Sequence, residues 1–285
     1  MKSLLALFLI ISSIFALNIN VSDSIVANGK TALIEFEKEK NINYEKIIVG
    51  KKTYKVYQHP SNSKKLYALI PISYYEKPNN KKIQVIYKEN EIKKIKKLFF
   101  KIEDANYKKE IIKVSNSKVN LNKKDKERAS LEYAQAIKIY NTFTDKSYIK
   151  SKFISPLSTK ITSSFGKARV YNGSLKGYHS GTDFRAKIGT ELIACNDGKI
   201  VLAKNRFYSG GSVIIDHGQG VYTCYYHMSR FNVKEGDVVK KSQLLGLSGD
   251  TGRVTGPHLH FSARVGGIQV DPLQLIDLLN KNLLQ

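Results

Sequence analysis

Cysteine is scarce in this chain: Cys195 and Cys224 are the only two in 285 residues. None lies near the N-terminus, which argues against a lipid-modified N-terminal cysteine. Two readings of the pair stay open in an exported protein. One is a disulfide, which needs the Cα atoms within about 7 Å; the other is two buried free thiols. Cys224 precedes His227 by three residues, so strand alternation puts them on opposite faces and removes Cys224 as a ligand. Long apolar runs are missing after the first sixteen residues. No later segment approaches the ~18 apolar residues of a membrane helix, which predicts no stable membrane insertion of the mature chain. Acidic residues are few, 24 against 47 Lys and Arg, for a formal charge of +23. Either a coding bias toward solvated lysines or attraction to an anionic polymer or surface accounts for this. The basic residues are spread out and form no recognised binding motif, so nucleic acid is not an expected partner.

Residues 1–16, MKSLLALFLIISSIFA, have Lys2, an apolar run from Leu4 to Phe15, and Ala16. This predicts a secretory signal peptide. Residues 17–115 read as short strands, among them Thr31–Glu37, Tyr54–Tyr57, Lys65–Ile72, Lys82–Tyr87 and Lys97–Ile102, separated by turn formers. The pattern predicts a small β-sandwich-like domain without a site. His59, beside Pro60, is expected to be an exposed turn histidine. Residues 116–150 change period. Ala129, Tyr133, Ala134, Ile137 and Tyr140 recur at helical spacing behind a capping Asn122, predicting a connecting helix to about Asn141. Residues 151–285 return to glycine-punctuated strands and close with a helix started by Asp271-Pro272. The fold class is therefore mainly β, with a C-terminal antiparallel domain carrying a groove.

Histidine is scarce too, yet five of the six fall between positions 179 and 260. His258 and His260 alternate with Leu259, so on a strand both point to one side. His179 and Asp183 lie four apart where a glycine-rich loop enters a strand. Two imidazoles and one carboxylate, His179, Asp183 and His260, make a three-ligand set. Zinc held so keeps a fourth position for water, the layout of a catalytic site. His217, in the turn Asp216-His217-Gly218, reads as structural.

Several separated segments carry a resemblance. They include His179-Ser-Gly-Thr-Asp183, Gly189-Thr190-Glu191-Leu192, Asp197-Gly198-Lys199-Ile200, the run Ser212–Gly218, Tyr225-Tyr226-His227-Met228, Gly236-Asp237-Val238-Val239 and Gly256-Pro257-His258-Leu259-His260-Phe261. In this order they resemble the M23 peptidases, also called LytM or lysostaphin-type, over roughly residues 155–275. The resemblance implies one Zn2+ per chain on His179, Asp183 and His260, with His227 and His258 as active-site histidines that do not bind metal. It implies cleavage of peptide cross-links in bacterial peptidoglycan, as a D,D-endopeptidase with added D,D-carboxypeptidase activity. The alternative is a non-catalytic wall-binding or hydrolase-activating module. Ser262 departs from the pattern, since many members carry an acidic residue there. The expected setting is the periplasm of a Gram-negative-type bacterium, as a monomer, with residues 17–115 as a regulatory domain and the mature residues ahead of 151 as a cover for the groove.

Overall fold

A computed structural model describes residues 17–112, 121–171 and 174–284. The segment read as a signal peptide lies outside them. Among the described residues no helix is long and apolar enough to cross a membrane. The fold is mainly β with antiparallel sheets, as expected.

Two sheets form the N-terminal sandwich. One has four strands, including Thr31–Glu37 and Lys65–Pro71, and the other five, including Ile42–Val49, Asn79–Glu89 and Ile92–Glu103. Ile34, Phe36, Ala68 and Ile70 of the first meet Ile47, Ile83, Val85 and Phe100 of the second in one core. The strand Ile42–Val49 shows no clean alternation, because its burial is interrupted by Glu45 and Lys46 at a register shift.

The four-stranded sheet is buried on both faces. Side chains alternate along a strand, so Ala32, Ile34 and Phe36 enter the sandwich while Leu33 points the other way. Leu33, Tyr67 and Leu69 join a second core with Val221, Val265 and Leu275. The Thr31 backbone exchanges two hydrogen bonds with the Gln274 side chain, at 2.9 and 3.0 Å. The N-terminal sandwich is thus packed onto the C-terminal region. Leu33→Ala is expected to destabilise the whole chain by about 2–5 kcal/mol. Urea unfolding should show one cooperative transition moving; separate transitions for the two halves would contradict it.

His59 corrects an expectation, being 6% exposed instead of a surface turn histidine. Its Nδ1 accepts from the Ser61 N–H at 3.1 Å, and Ser61 Oγ donates to the Leu283 carbonyl. Docking against the C-terminal helix, a contact over 200 residues away in sequence, covers the turn.

The C-terminal region is built on a ten-stranded sheet. Its centre runs Thr182–Arg185, His258–Val265, Val221–Phe231 and Gly210–Asp216, all antiparallel. One face carries Phe184, Leu259, Phe261, Ala263 and Tyr225 into the core shared with Leu33. The opposite face is divided. Helix α1, Lys123–Tyr140, is capped by Asn122 as expected and covers one part, with Ala136 and Tyr140 against Leu202, Ile214, Tyr222 and Cys224. The other part of this face holds the histidines. Helix α2, Pro272–Asn282, is capped by Asp271, which accepts from the Leu273 and Gln274 N–H groups. Cys195 and Cys224 are both buried free thiols.

Candidate metal centre and groove

Strand register assembles the site. Asp183 lies directly opposite His260, and Arg185 opposite His258, on neighbouring antiparallel strands. Paired residues share a face. On the far side of the same strand Tyr226 pairs with His260, and their rings stack with centroids 5.6 Å apart. His179 reaches this row from the loop before Thr182. Gly181 lets that loop lie flat on the next strand, since a Cβ there would meet the Phe261 carbonyl oxygen at 2.4 Å and His260 Nε2 at 2.7 Å.

Three ligand-type atoms converge. His179 Nε2 is 2.9 Å from Asp183 Oδ1 and 3.0 Å from His260 Nδ1, which is 2.8 Å from Asp183 Oδ1. All three residues are buried. The His179 Nδ1–H donates to the Ser164 carbonyl at 2.8 Å, which turns the Nε2 lone pair inward. Burial opposes ionisation of Asp183, but the His179 and His260 imidazoles that face it outweigh burial and hold the carboxyl well below its usual range. Burial outweighs that same carboxylate at His260 and pushes its pKa down to about 4, so the ring is neutral at pH 7.

A buried carboxylate facing two imidazole nitrogens is a donor set for a cation. The spacings fall a few tenths of an ångström short of the ~3.3 Å edge of a tetrahedron with ~2.0 Å bonds, a small adjustment. The donor chemistry and geometry therefore fit zinc.

His227 and His258 flank this cluster. Their ring centroids are 4.8 Å apart, and His227 is 6.0 Å from His260. Each ring donates its Nδ1–H to a backbone carbonyl: Thr251 at 2.7 Å for His227, Gly256 at 2.8 Å for His258. Nε2 of each ring is left for other partners. Burial, reinforced by His260 and His258, pushes the His227 pKa down to about 3.

His227 has φ of +64° where the pairing with Gly210–Asp216 shifts register. This corrects the expectation that Cys224 and His227 take opposite faces. Strict alternation would send His227 into the core; the bulge re-aims it beside His258. Cys224 stays out of the cluster because its Sγ packs against the Tyr140 hydroxyl at 3.3 Å, under α1. His217 is likewise elsewhere. It is fully buried, with Nδ1 at 2.7 Å from the Asp197 carbonyl and Nε2 at 2.8 Å from Thr223 Oγ1.

A cavity of about 700 Å³ opens beside Asp183, His227 and His258. Part of its wall comes from the N-terminal half, where no site residue was expected. The strand Lys109–Ile112 runs parallel to Ala168–Tyr171, bringing Glu110, Ile111 and Ile112 to the cavity. Glu110 Oε1 accepts from Ser163 Oγ at 3.0 Å, and its other oxygen lies 3.4 Å from Arg169 Nε. Arg169 also reaches Asp183 Oδ2 at 3.4 Å. Arg185 completes the rim. Alternation could have found Arg185, two residues beyond Asp183; nothing local pointed to Glu110.

Residues 177–272 match the model of Peptidase family M23. The peptidoglycan DD-endopeptidase ShyA of Vibrio cholerae is 41% identical over 116 residues, covering 40% of this chain and 27% of that protein. The DD-carboxypeptidase/endopeptidase Mpg of Neisseria meningitidis is 39% identical over 123 residues, 43% of this chain and 28% of the relative. The chain thus spans little more than a quarter of the length of these relatives. A crystal structure assigned to peptidase M23 in Pseudomonas aeruginosa aligns over 88% of this chain and 94% of its own, with TM-score 0.67 at 24% identity, which extends the likeness in fold to the N-terminal sandwich. The likeness to peptidase family M23 therefore rests on residues 177–272, the stretch that holds His179, Asp183, His227, His258 and His260.

Proposed function

We propose that the chain is a zinc-dependent peptidoglycan hydrolase that cuts peptide cross-links, acting as a D,D-endopeptidase with D,D-carboxypeptidase activity on the same site. The observation that carries this reading is the placement of His227 and His258 beside the His179–Asp183–His260 cluster at the floor of an open groove. His179, Asp183 and His260 are the proposed zinc ligands. Zinc held there supplies Lewis-acid chemistry at the scissile carbonyl. His227 and His258 present Nε2 atoms that take a proton from the attacking water and return one to the leaving amine. Tyr226 packs flat on His260 and fixes the orientation of that ring. The relatives named for peptidoglycan bonds support the substrate class.

A binding module without chemistry would have no need for both histidine sets, so the catalytic reading is preferred. The proposed setting is outside the cytoplasm, in the periplasm, after removal of residues 1–16. We divide the mature chain into a sandwich (17–115), a helical connector (116–150) and a peptidase domain (151–285). Residues 110–112 stand in the wall of an open cavity, which supports a region that shapes the groove. The test is mass spectrometry of cross-linked muropeptide dimers incubated with zinc-loaded 17–285. Conversion to monomers is expected, and the product masses name the bond. Dimers left intact by protein of verified zinc content and fold would refute the hydrolase reading.

A further inference from the structure

Three arginines border the groove: Arg169, Arg185 and Arg253. Two are committed. Arg169 lies between Glu110 and Asp183, and Arg253 packs over the Tyr208 ring, 4.4 Å from its centroid. Arg185 differs. It is exposed, and among the described residues no carboxylate forms an ion pair with it. Its position is nonetheless fixed by the same register that builds the site. It ends the strand Thr182–Arg185, its backbone N–H donates to the Lys160 carbonyl at 2.9 Å, and it pairs with His258.

This places a guanidinium one step along the ladder from the proposed ligands. Asp183 and Arg185 are two residues apart on one face, roughly 7 Å, and His258 lies beside Arg185 at the cross-strand distance of about 5 Å. Resting on the hydrolase reading, the scissile carbonyl belongs over Asp183 and His260, with the leaving nitrogen on the His258 side. A carboxylate on the carbon attached to that nitrogen is only three covalent bonds further on. The arginine fork spans the remaining gap and suits a carboxylate bidentately.

We propose that Arg185 binds a carboxylate carried by the carbon next to the scissile nitrogen, and so selects cross-links whose amine side is an α-amino acid centre with a free carboxyl, as in diaminopimelate. A glycine or amidated residue at that position lacks the charge. The proposal makes Arg185 a specificity residue that touches the substrate beside the reacting bond.

The test uses zinc-loaded 17–285 and two cross-linked dimers, identical except that the diaminopimelate carboxyl next to the scissile nitrogen is free in one and amidated in the other. Wild type should prefer the free acid in kcat/KM by about 10- to 100-fold, the range of a charged hydrogen-bonded contact. In Arg185→Ala the ratio should fall to near one, mainly through KM, with zinc content and melting temperature kept. Arg185→Lys should recover part of it. A wild-type ratio near one, or a ratio in Arg185→Ala equal to that of wild type, overturns the proposal while leaving the hydrolase reading intact. Failure of wild type to cut either dimer removes both.

Discussion

Asp183→Ala is expected to lower kcat/KM on a cross-linked dimer by about 10⁴-fold or more and to strip the protein of zinc. The carboxylate is the only anion among the three proposed ligands, and it sits 2.9 and 2.8 Å from the two imidazole nitrogens. Without it, two neutral imidazoles must hold a dication in a buried site, with no charge to offset desolvation. Metal catalysis supplies several kcal/mol, and each 1.36 kcal/mol is tenfold in rate, so four decades is a modest expectation. Arg169 adds a second consequence. It reaches Asp183 Oδ2 at 3.4 Å and keeps Glu110 as its other partner, so the variant retains an ion pair at the groove wall and should fold. Metal analysis, circular dichroism and steady-state kinetics on one sample check all three points. A folded Asp183→Ala protein that binds stoichiometric zinc, or turns over within tenfold of wild type, would show that the ligand assignment is wrong.

The parts of the site that were legible in the sequence are those set by local geometry. His258 and His260 share a face because strands alternate, and both lie on the strand His258–Val265. Helix α1 begins behind Asn122, whose side chain accepts from the Asp125 N–H, because a capping residue followed by helical spacing is a local signal. The rest depends on distant chain. Leu33 looks like the solvent side of an amphipathic strand until a second layer covers it; only the meeting with Tyr67, Val221 and Leu275 makes it core. His59 is buried for the same reason. Glu110 hydrogen-bonds to Ser163, 53 residues away, through a parallel pairing that no turn or spacing announces. The face taken by His227 was misjudged because alternation was applied across a bulge. A positive φ at a non-glycine residue leaves no mark in its neighbours' identities.

That same bulge sets up the sharpest test of the proton-transfer role. His227→Ala is expected to cut turnover by about 10²- to 10⁴-fold, the range for a lost general acid or base, while zinc stays bound. His227 Nδ1–H is tied to the Thr251 carbonyl at 2.7 Å, so the ring is held with Nε2 toward the groove, and the low pKa keeps that atom unprotonated at neutral pH. Alanine alone would leave an ambiguity, because φ of +64° is unfavourable for it. Asparagine tolerates that conformation and can still donate to the Thr251 carbonyl from its amide, but an amide cannot accept a proton from water at neutral pH. His227→Asn should therefore be at least as stable as His227→Ala and lose a similar factor in kcat. Similar kinetic losses in both, with full zinc, separate the chemical role from a folding defect. Loss of zinc in both variants would make His227 a ligand and require the centre to be redrawn. Rates within tenfold of wild type would assign the proton transfer to His258 alone, whose Nδ1–H is tied to the Gly256 carbonyl in the same way.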